Sequence, residues 1–192
     1  MTPPQAQQLA TCLAACGVSL AAGLSTSEIA QLATRFGLVF PPDLRLLLQV
    51  ALPVSAGFTP WRDALHSPAG ARALQTRLLA PLEGILFDVQ LNGFWLVEWG
   101  PKPAQATARE QLVRQQFVHY PQLLPLYSHR YLPASPALAG NPVFSVYQTD
   151  IIYYGYDLAH YLATEFKFAL PAGFAPLTAP KNQIVFWDAL TG

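Results

Sequence analysis

Charged residues are scarce in this 192-residue sequence, and their scarcity limits what the protein can bind. Only 11% of the residues are charged, whereas an average soluble domain has about 25%. Eleven basic residues balance eleven acidic ones, and lysine occurs only at Lys102, Lys167 and Lys181. Because nucleic-acid-binding proteins gain much of their affinity from clustered Lys and Arg, we expect no nucleic-acid partner. Either small polar residues replace the missing charges, or apolar surface is left for a protein partner.

Cysteine is rare as well, with Cys12 and Cys16 as its only instances. Their spacing puts both on one face of a predicted helix, unlike the two-residue spacing typical of redox pairs. Neither has a histidine or acidic residue at ligand spacing, so we expect buried free thiols that pack as small hydrophobic side chains. The histidines are too scattered for a metal motif, and no glycine-rich phosphate loop is present. We therefore expect no metal and no cofactor.

Long apolar runs and an N-terminal basic segment are also missing. No uninterrupted stretch of 18 apolar residues occurs, so we expect no transmembrane helix and no membrane partner. Residues 9–24 are apolar enough to resemble the core of a signal peptide, but the first basic residue is Arg35. A secretory signal needs a positively charged segment before its apolar core. The sequence therefore predicts a cytoplasmic protein.

The clearest structural pattern is a β-hairpin followed directly by a helix. Residues 143–147 and 151–154 are rich in β-branched and aromatic side chains, and the short segment between them predicts a turn. Both faces of 151–154 are apolar, which is typical of a central strand covered on both sides. The tyrosines of this segment are also of a type favoured in protein interfaces. Asp157 is a good N-cap for a helix whose apolar positions recur at 3.6-residue spacing.

The remaining pattern predicts helices and strands in one domain spanning residues 1–192. A capping box at Ser25 and Glu28 begins a helix that Gly37 ends, and Pro42 begins the next helix. The other expected elements are a helix over 5–16, two short helices between 53 and 81, strands over 85–90 and 94–99, a helix over 105–118, extended segments over 123–127 and 131–132, and a final strand over 184–187.

His129 is the residue that most resembles part of an active site. Ser128 and Asp150 would supply a hydroxyl nucleophile and a carboxylate that orients the histidine, as acyl-transfer chemistry requires. However, no Gly-x-Ser-x-Gly nucleophile elbow occurs in the sequence. With Arg130 beside it, His129 fits a hydrogen-bonded structural cluster better, so we expect no catalytic residues. A hydrolase that uses His129 is the distant alternative.

Four segments between residues 24 and 166 share their order and residue types with a known family. They are residues 24–44 with the capped and proline-initiated helices, 94–101 with Trp95 and Trp99, 124–133 with His129 and Arg130, and 140–166 with Asp150, Tyr153, Gly155 and Asp157. Together they resemble the SUKH superfamily of Smi/Knr-type proteins. The resemblance implies an α+β domain with a central mixed, largely antiparallel sheet surrounded by helices, in which these residues have structural roles.

The same resemblance implies a protein-binding module without catalytic residues or a cofactor. Bacterial members are commonly immunity proteins that neutralise a cognate toxin, often a nuclease, so we expect such a role here. A regulatory or scaffold protein of the same fold is the alternative, and the oligomeric state stays open. A nuclease toxin has a basic nucleic-acid-binding surface, so its inhibitor is expected to present carboxylates near aromatic residues. The candidates are Glu83, Asp88, Glu98 and Asp188.

Overall fold

The structure is a computed structural model that describes residues 1–191. A four-stranded sheet carries helices on both of its faces, and a two-stranded sheet lies between the N-terminal helices. The helices are α1 (Pro3–Ala15), α2 (Thr26–Phe36), α3 (Pro42–Val50), α4 (Asp63–His66), α5 (Pro68–Leu91), α6 (Ala106–Phe117), α7 (Leu158–Phe166) and α8 (Trp187–Leu190), and the strands are β1 (Leu20–Ala22), β2 (Ala51–Pro53), β3 (Leu123–Tyr127), β4 (Arg130–Pro133), β5 (Val143–Tyr147) and β6 (Asp150–Gly155).

The α+β class is confirmed, but the sheet is not mixed. Every pairing between these strands is antiparallel, in the orders β1-β2 and β3-β4-β5-β6. Within residues 1–191 the only parallel pairing is an isolated bridge between Ile151 and Thr191. The expectation of a central strand at 151–154 is wrong, because β6 lies at the edge of the sheet and Ile152 is 46% exposed. Two-residue turns join β3 to β4 and β5 to β6, as is typical of antiparallel hairpins, whereas residues 134–142 connect β4 to β5.

The N-terminal helices begin and end where their capping residues predict. The Ser25 hydroxyl accepts the Glu28 backbone N–H, and the Glu28 carboxylate accepts the Ser25 backbone N–H. Gly37 then ends α2 with a left-handed backbone (φ 65°), a conformation that glycine adopts without the steric cost of a Cβ atom. Pro42 occupies the first turn of α3, where its missing N–H has no intrahelical partner to lose.

The expected strands over 85–90 and 94–99 are wrong, as is the strand over 184–187. Residues 85–90 belong to the 24-residue helix α5, which replaces the second of the two short helices. Residues 97–99 form one 3-10 turn, and Ile184 leads into α8. The β-branched and aromatic content suggested strands, but the positions that are buried follow the helical period. In α5 these positions are Leu82, Ile85, Leu86 and Val89.

Helix α5 continues through Pro81, which normally disrupts a helix. Proline has no N–H, so it leaves the carbonyl four residues earlier without its helical donor. That carbonyl belongs to Arg77, and it accepts a hydrogen bond of 3.1 Å from the hydroxyl of Tyr131 on β4. The sheet therefore supplies the donor that the helix lacks, and the helix runs on to Leu91.

Two hydrophobic cores cover the opposite faces of the four-stranded sheet. Along β3 and β4 successive buried residues alternate between them, since neighbouring side chains of a strand point to opposite faces. We call them the leucine core, in which leucine predominates, and the aromatic core, in which the largest side chains are aromatic. The leucine core includes Leu9, Leu13, Leu32, Leu44, Leu124, Leu132 and Leu162, and the aromatic core includes Ile85, Trp99, Tyr131, Phe144, Ile151 and Trp187.

Both cysteines are free, as expected, but neither is buried. Helix α1 directs Leu9 and Leu13 into the leucine core. Cys12 lies beside that face and is only partly covered, and Cys16 follows the helix and is exposed. The expected burial of the thiols is therefore wrong.

Candidate protein-binding surface

His129 lies on an exposed two-residue turn between β3 and β4. Its Nδ1 atom is 3.1 Å from the Ser128 hydroxyl oxygen. Asp150 is exposed beside the neighbouring turn, and no hydrogen bond joins it to His129 in the described part of the chain. Partial desolvation and the positive charge of Arg130 lower the pKa of His129, which favours the neutral ring. The turn therefore provides a hydroxyl and an imidazole but not the expected carboxylate that would orient them.

The carboxylate that pairs with Arg130 is Glu165 of α7, at 2.9 Å. Arg130 also donates to the Ser145 hydroxyl at 2.8 Å, and its guanidinium carbon lies 3.6 Å from the centre of the Tyr154 ring. Only 11% of the Arg130 side chain and 16% of the Glu165 side chain are exposed. These contacts join β4, β5, β6 and α7, so Arg130 has a structural role.

Trp95 and Trp99 pack against each other on the loop that follows α5. Their ring centres are 5.2 Å apart at a nearly perpendicular angle, a favourable arrangement for aromatic pairs. Trp99 is buried, and its indole N–H donates to the Tyr120 hydroxyl at 2.7 Å. Trp95 donates to the Gly100 carbonyl at 2.8 Å. The two tryptophans thus close one end of the aromatic core.

The residues between β6 and α7 position the final long helix. Asp157 is its N-cap, as expected, and accepts the His160 backbone N–H at 2.8 Å. Gly155 is required by close packing, because a Cβ atom there would lie 2.5 Å from the Tyr161 Cα atom. Tyr153 packs against Phe144, and burial and the nearby Asp188 carboxylate raise its pKa.

The four carboxylates that were expected to face a partner do not form one exposed acidic surface. Asp88 is only 4% exposed, because its carboxylate accepts the backbone N–H and the hydroxyl of Thr149 at 2.9 and 2.6 Å. Asp188 is partly buried and accepts the Ile184 backbone N–H at 2.7 Å. The expectation of a place on a binding surface is therefore wrong for the buried Asp88, and for Asp188 it stays a prediction.

The other two carboxylates are exposed but differ in their surroundings. Glu83 forms an ion pair with Arg114 at 3.1 Å, and Arg114 also pairs with Glu110. Glu98 is exposed in the 3-10 turn over residues 97–99. Because Arg114 is shared by Glu83 and Glu110, this cluster keeps one negative charge. An attraction to a basic partner would therefore rest on Glu98 and on this cluster.

A larger surface feature is an open groove of about 630 Å3 between α2, α5 and the end of α6. Several of its lining side chains are apolar, and two of them project into solvent: Leu79 is 44% exposed and Val118 is 76% exposed. Its floor includes Leu82 and Leu123 of the aromatic core. The other apolar lining side chains include Phe36, Leu78 and Phe117.

Polar side chains are few in this groove, and only one of them is charged. Arg35, at the end of α2, donates through Nη1 to the carbonyls of Ala64 and Leu65 at 2.8 and 3.3 Å. Within residues 1–191, its Nε and Nη2 groups have no hydrogen-bond acceptor. Gln75, Gln122 and Tyr120 also line the groove. The groove is thus mainly apolar, with one positive charge at its edge.

Sequence reasoning did not identify this groove, because it ended the helix before Pro81. The signal was nevertheless present, since Leu74, Leu78, Leu82 and Ile85 recur at helical spacing across the proline. Extending the helix would have placed Leu79 on its outer side. The other walls come from α2 and α6, which are distant in sequence, and only the fold brings them together.

The described residues contain no other arrangement that suggests chemistry. No group of three or more His, Cys, Asp or Glu side chains within residues 1–191 is placed to hold a metal ion. None of the helices in this part of the chain is long and apolar enough to cross a membrane.

Comparisons with models of protein families, with curated proteins and with solved structures found no significant match to this chain.

Proposed function

We propose that this protein is a protein-binding module, and most concretely a cytoplasmic immunity protein that neutralises a cognate bacterial toxin by direct binding. The observation that carries the binding role is the open groove between α2, α5 and α6. Exposed apolar side chains that line a concave surface typically mark an interaction site. The toxin as partner is favoured by the resemblance of residues 24–166 to the SUKH superfamily.

The groove supports binding of a protein more than binding of a polar metabolite. Its lining offers Leu79, Val118 and Phe117 but few hydrogen-bonding side chains. A small polar substrate would leave its own polar groups unpaired there, which costs binding energy. Apolar side chains of a partner lose no hydrogen bonds when they enter such a groove, so a protein surface is the better fit.

The direct test is co-expression with the toxin domain encoded next to this gene. We expect cells to survive the toxin when the protein is present, and the two chains to purify together. If the protein is folded and abundant but gives neither survival nor a complex, the immunity role is wrong and the regulatory alternative takes its place. Retention of rescue by His129→Ala would argue against a role for hydrolysis.

Two leucines of the same helix provide a matched pair of variants. Leu79→Gln removes an apolar side chain from the groove, whereas Leu91→Gln changes a leucine that is 69% exposed and outside the groove lining. Both changes affect exposed positions, so each is expected to alter stability by less than about 0.5 kcal/mol. We expect Leu79→Gln to weaken the complex and Leu91→Gln to leave it unchanged.

A further inference from the structure

We propose that the groove binds an acidic amphipathic helix of the partner, an inference that rests on the proposed protein-binding function. The groove lies between helices, and its apolar side chains can receive the apolar face of another helix. Apolar residues spaced by three or four positions in the partner would contact Leu79, Val118 and Phe117. Acidic residues beside them would face Arg35.

The scarcity of polar groups in the groove favours a helix over an extended segment. Every buried backbone N–H and carbonyl needs a hydrogen-bond partner. An extended segment would find few partners on this mainly apolar surface, where only Arg35, Gln75, Tyr120 and Gln122 have polar side chains. A helix satisfies its backbone internally and presents only side chains.

The charge at the groove favours acidic residues in the partner. Arg35 keeps its Nε and Nη2 donors available within the described chain, and a carboxylate is the acceptor that matches a guanidinium best. Arg72 is exposed and lies seven residues before Leu79, so it is on the same side of α5. Glu83, beside the groove residue Leu82, shares Arg114 with Glu110, so this cluster keeps one negative charge. The two positive charges of Arg35 and Arg72 exceed it, and the net charge around the groove is therefore positive.

A displayed library of 18-residue helical peptides with randomised surface positions tests this inference. The full-length protein is used as bait, and the affinity of each selected peptide is then measured by fluorescence anisotropy. We expect the selected peptides to carry apolar residues at i and i+3 or i+4 together with Asp or Glu. Selection of basic or proline-rich peptides, or of none, would overturn the inference.

Variants of the bait locate the binding site and test the charge. Leu79→Gln and Arg35→Glu should each lower the affinity for an acidic peptide about tenfold or more. Leu91→Gln and Arg45→Glu, which change exposed residues outside the groove, should alter the affinity less than about twofold. Arg35 also donates to two backbone carbonyls, so its replacement can affect the fold as well as the charge. Arg72→Glu therefore serves as the second charge variant and should weaken binding about threefold. Equal binding by the groove variants and their controls would contradict the proposed site.

The two tests fail in different ways. If co-expression gives toxin rescue but Leu79→Gln and Arg35→Glu rescue as well as the parent protein, the partner binds elsewhere and this inference is wrong. If acidic helices are selected at the groove but no toxin is neutralised, the inference that the groove binds acidic helices stands and the immunity role is wrong.

Discussion

The two faces of the central sheet are covered by different kinds of core. The leucine core consists mainly of leucine side chains around Trp61 and Tyr161, and charged networks such as Arg130 with Glu165 lie at its edge. The aromatic core depends on a few large side chains whose N–H groups bond to the protein, as Trp187 does to the Pro121 carbonyl at 2.7 Å. Leucine neighbours can fill part of the space that one lost leucine leaves, whereas the loss of a tryptophan leaves a larger cavity.

The groove lies nearer to one of these two cores. The aromatic core is covered by α5, α6 and the short α8, which leave a groove open to solvent above Leu82 and Leu123. The leucine core is enclosed by α1, α2, α3 and α7. The floor of the groove is therefore formed by the aromatic core, and Phe36 and Leu78, which pack against the leucine core, also line it.

The largest effect is expected from Trp187→Ala, which removes the principal anchor of the aromatic core. Trp187 is completely buried on a helix of only four residues, so its loss leaves a large cavity and frees α8. We expect a loss of about 3–5 kcal/mol in the free energy of unfolding, measured by denaturant titration. A loss below about 1 kcal/mol would show that α8 is not needed to close this core.

Leu162→Ala makes the corresponding change in the leucine core. Leu162 is 2% exposed on α7, and its leucine neighbours can partly fill the space that it leaves. We expect a loss of about 2–4 kcal/mol, smaller than for Trp187→Ala. The comparison of the two cores would be contradicted if this variant were the less stable of the two.

Asp88→Asn tests a polar contact at the edge of the aromatic core. Three donors point at this carboxylate, two from Thr149 and one from the Asn92 amide at 2.6 Å. An amide in its place would direct an N–H at one of these donors, so we expect a loss of about 2 kcal/mol. Burial raises the pKa of Asp88, but the hydrogen bonds outweigh it and the net shift is downward. Protonation of Asp88 at low pH should therefore remove the difference in the free energy of unfolding between variant and parent. A difference that persists at low pH would contradict the loss of hydrogen bonds as its cause.

Glu28→Gln tests the equivalent contact at the edge of the leucine core. The Glu28 carboxylate accepts from Arg62 Nε at 2.7 Å and from the Ser25 backbone N–H at 2.8 Å. We expect a loss of about 1–2 kcal/mol at pH 7. The hydrogen bonds from Arg62 and Ser25 lower the pKa of Glu28 from 4.5 to about 2.

The pH dependence of this variant follows from the sign of that shift. Because the folded protein holds the Glu28 proton less tightly than the unfolded chain, the stabilisation is complete above pH 4.5 and is lost as the pH falls towards 2. Denaturant titrations of variant and parent should therefore converge in acid. A constant difference from pH 7 to pH 2 would assign the effect to packing.

The smallest effect is expected from Asp157→Ala at the start of α7. The Asp157 side chain accepts the His160 backbone N–H and lies 2.9 Å from His160 Nδ1. Loss of the cap should reduce the free energy of unfolding by about 1 kcal/mol. Asp157→Ser preserves a capping hydroxyl and should recover most of this loss, and equal stability of the two variants would argue against capping.

Local signals predicted the elements whose causes are local. Ser25, Glu28 and Gly37 mark the ends of α2, and Asp157 marks the start of α7, because each cap involves residues within one helical turn. The sheet hairpins were also predicted, since short turns separate their strands. The fold class could therefore be predicted from the sequence.

The predictions failed where the cause lies far along the chain. Residues 85–90 have the composition of a strand, and Pro81 separates them from the helical pattern of Leu74 and Leu78. The donor that lets α5 continue across this proline comes from Tyr131 on β4. Asp88 was expected at the surface because it is charged, yet Thr149, 61 residues later, provides the donors that allow its burial. The groove was missed for the same reason, since its walls are distant in sequence.

The hydrogen bond between Tyr131 and the Arg77 carbonyl has a consequence for the order in which the chain acquires its structure. During synthesis, residues 68–91 leave the ribosome well before Tyr131, which follows Arg77 by 54 residues. Until β4 docks, the carbonyl that Pro81 leaves without a donor must be hydrated. Completion of α5 as a continuous buried helix is thus coupled to the arrival of a strand that is translated later.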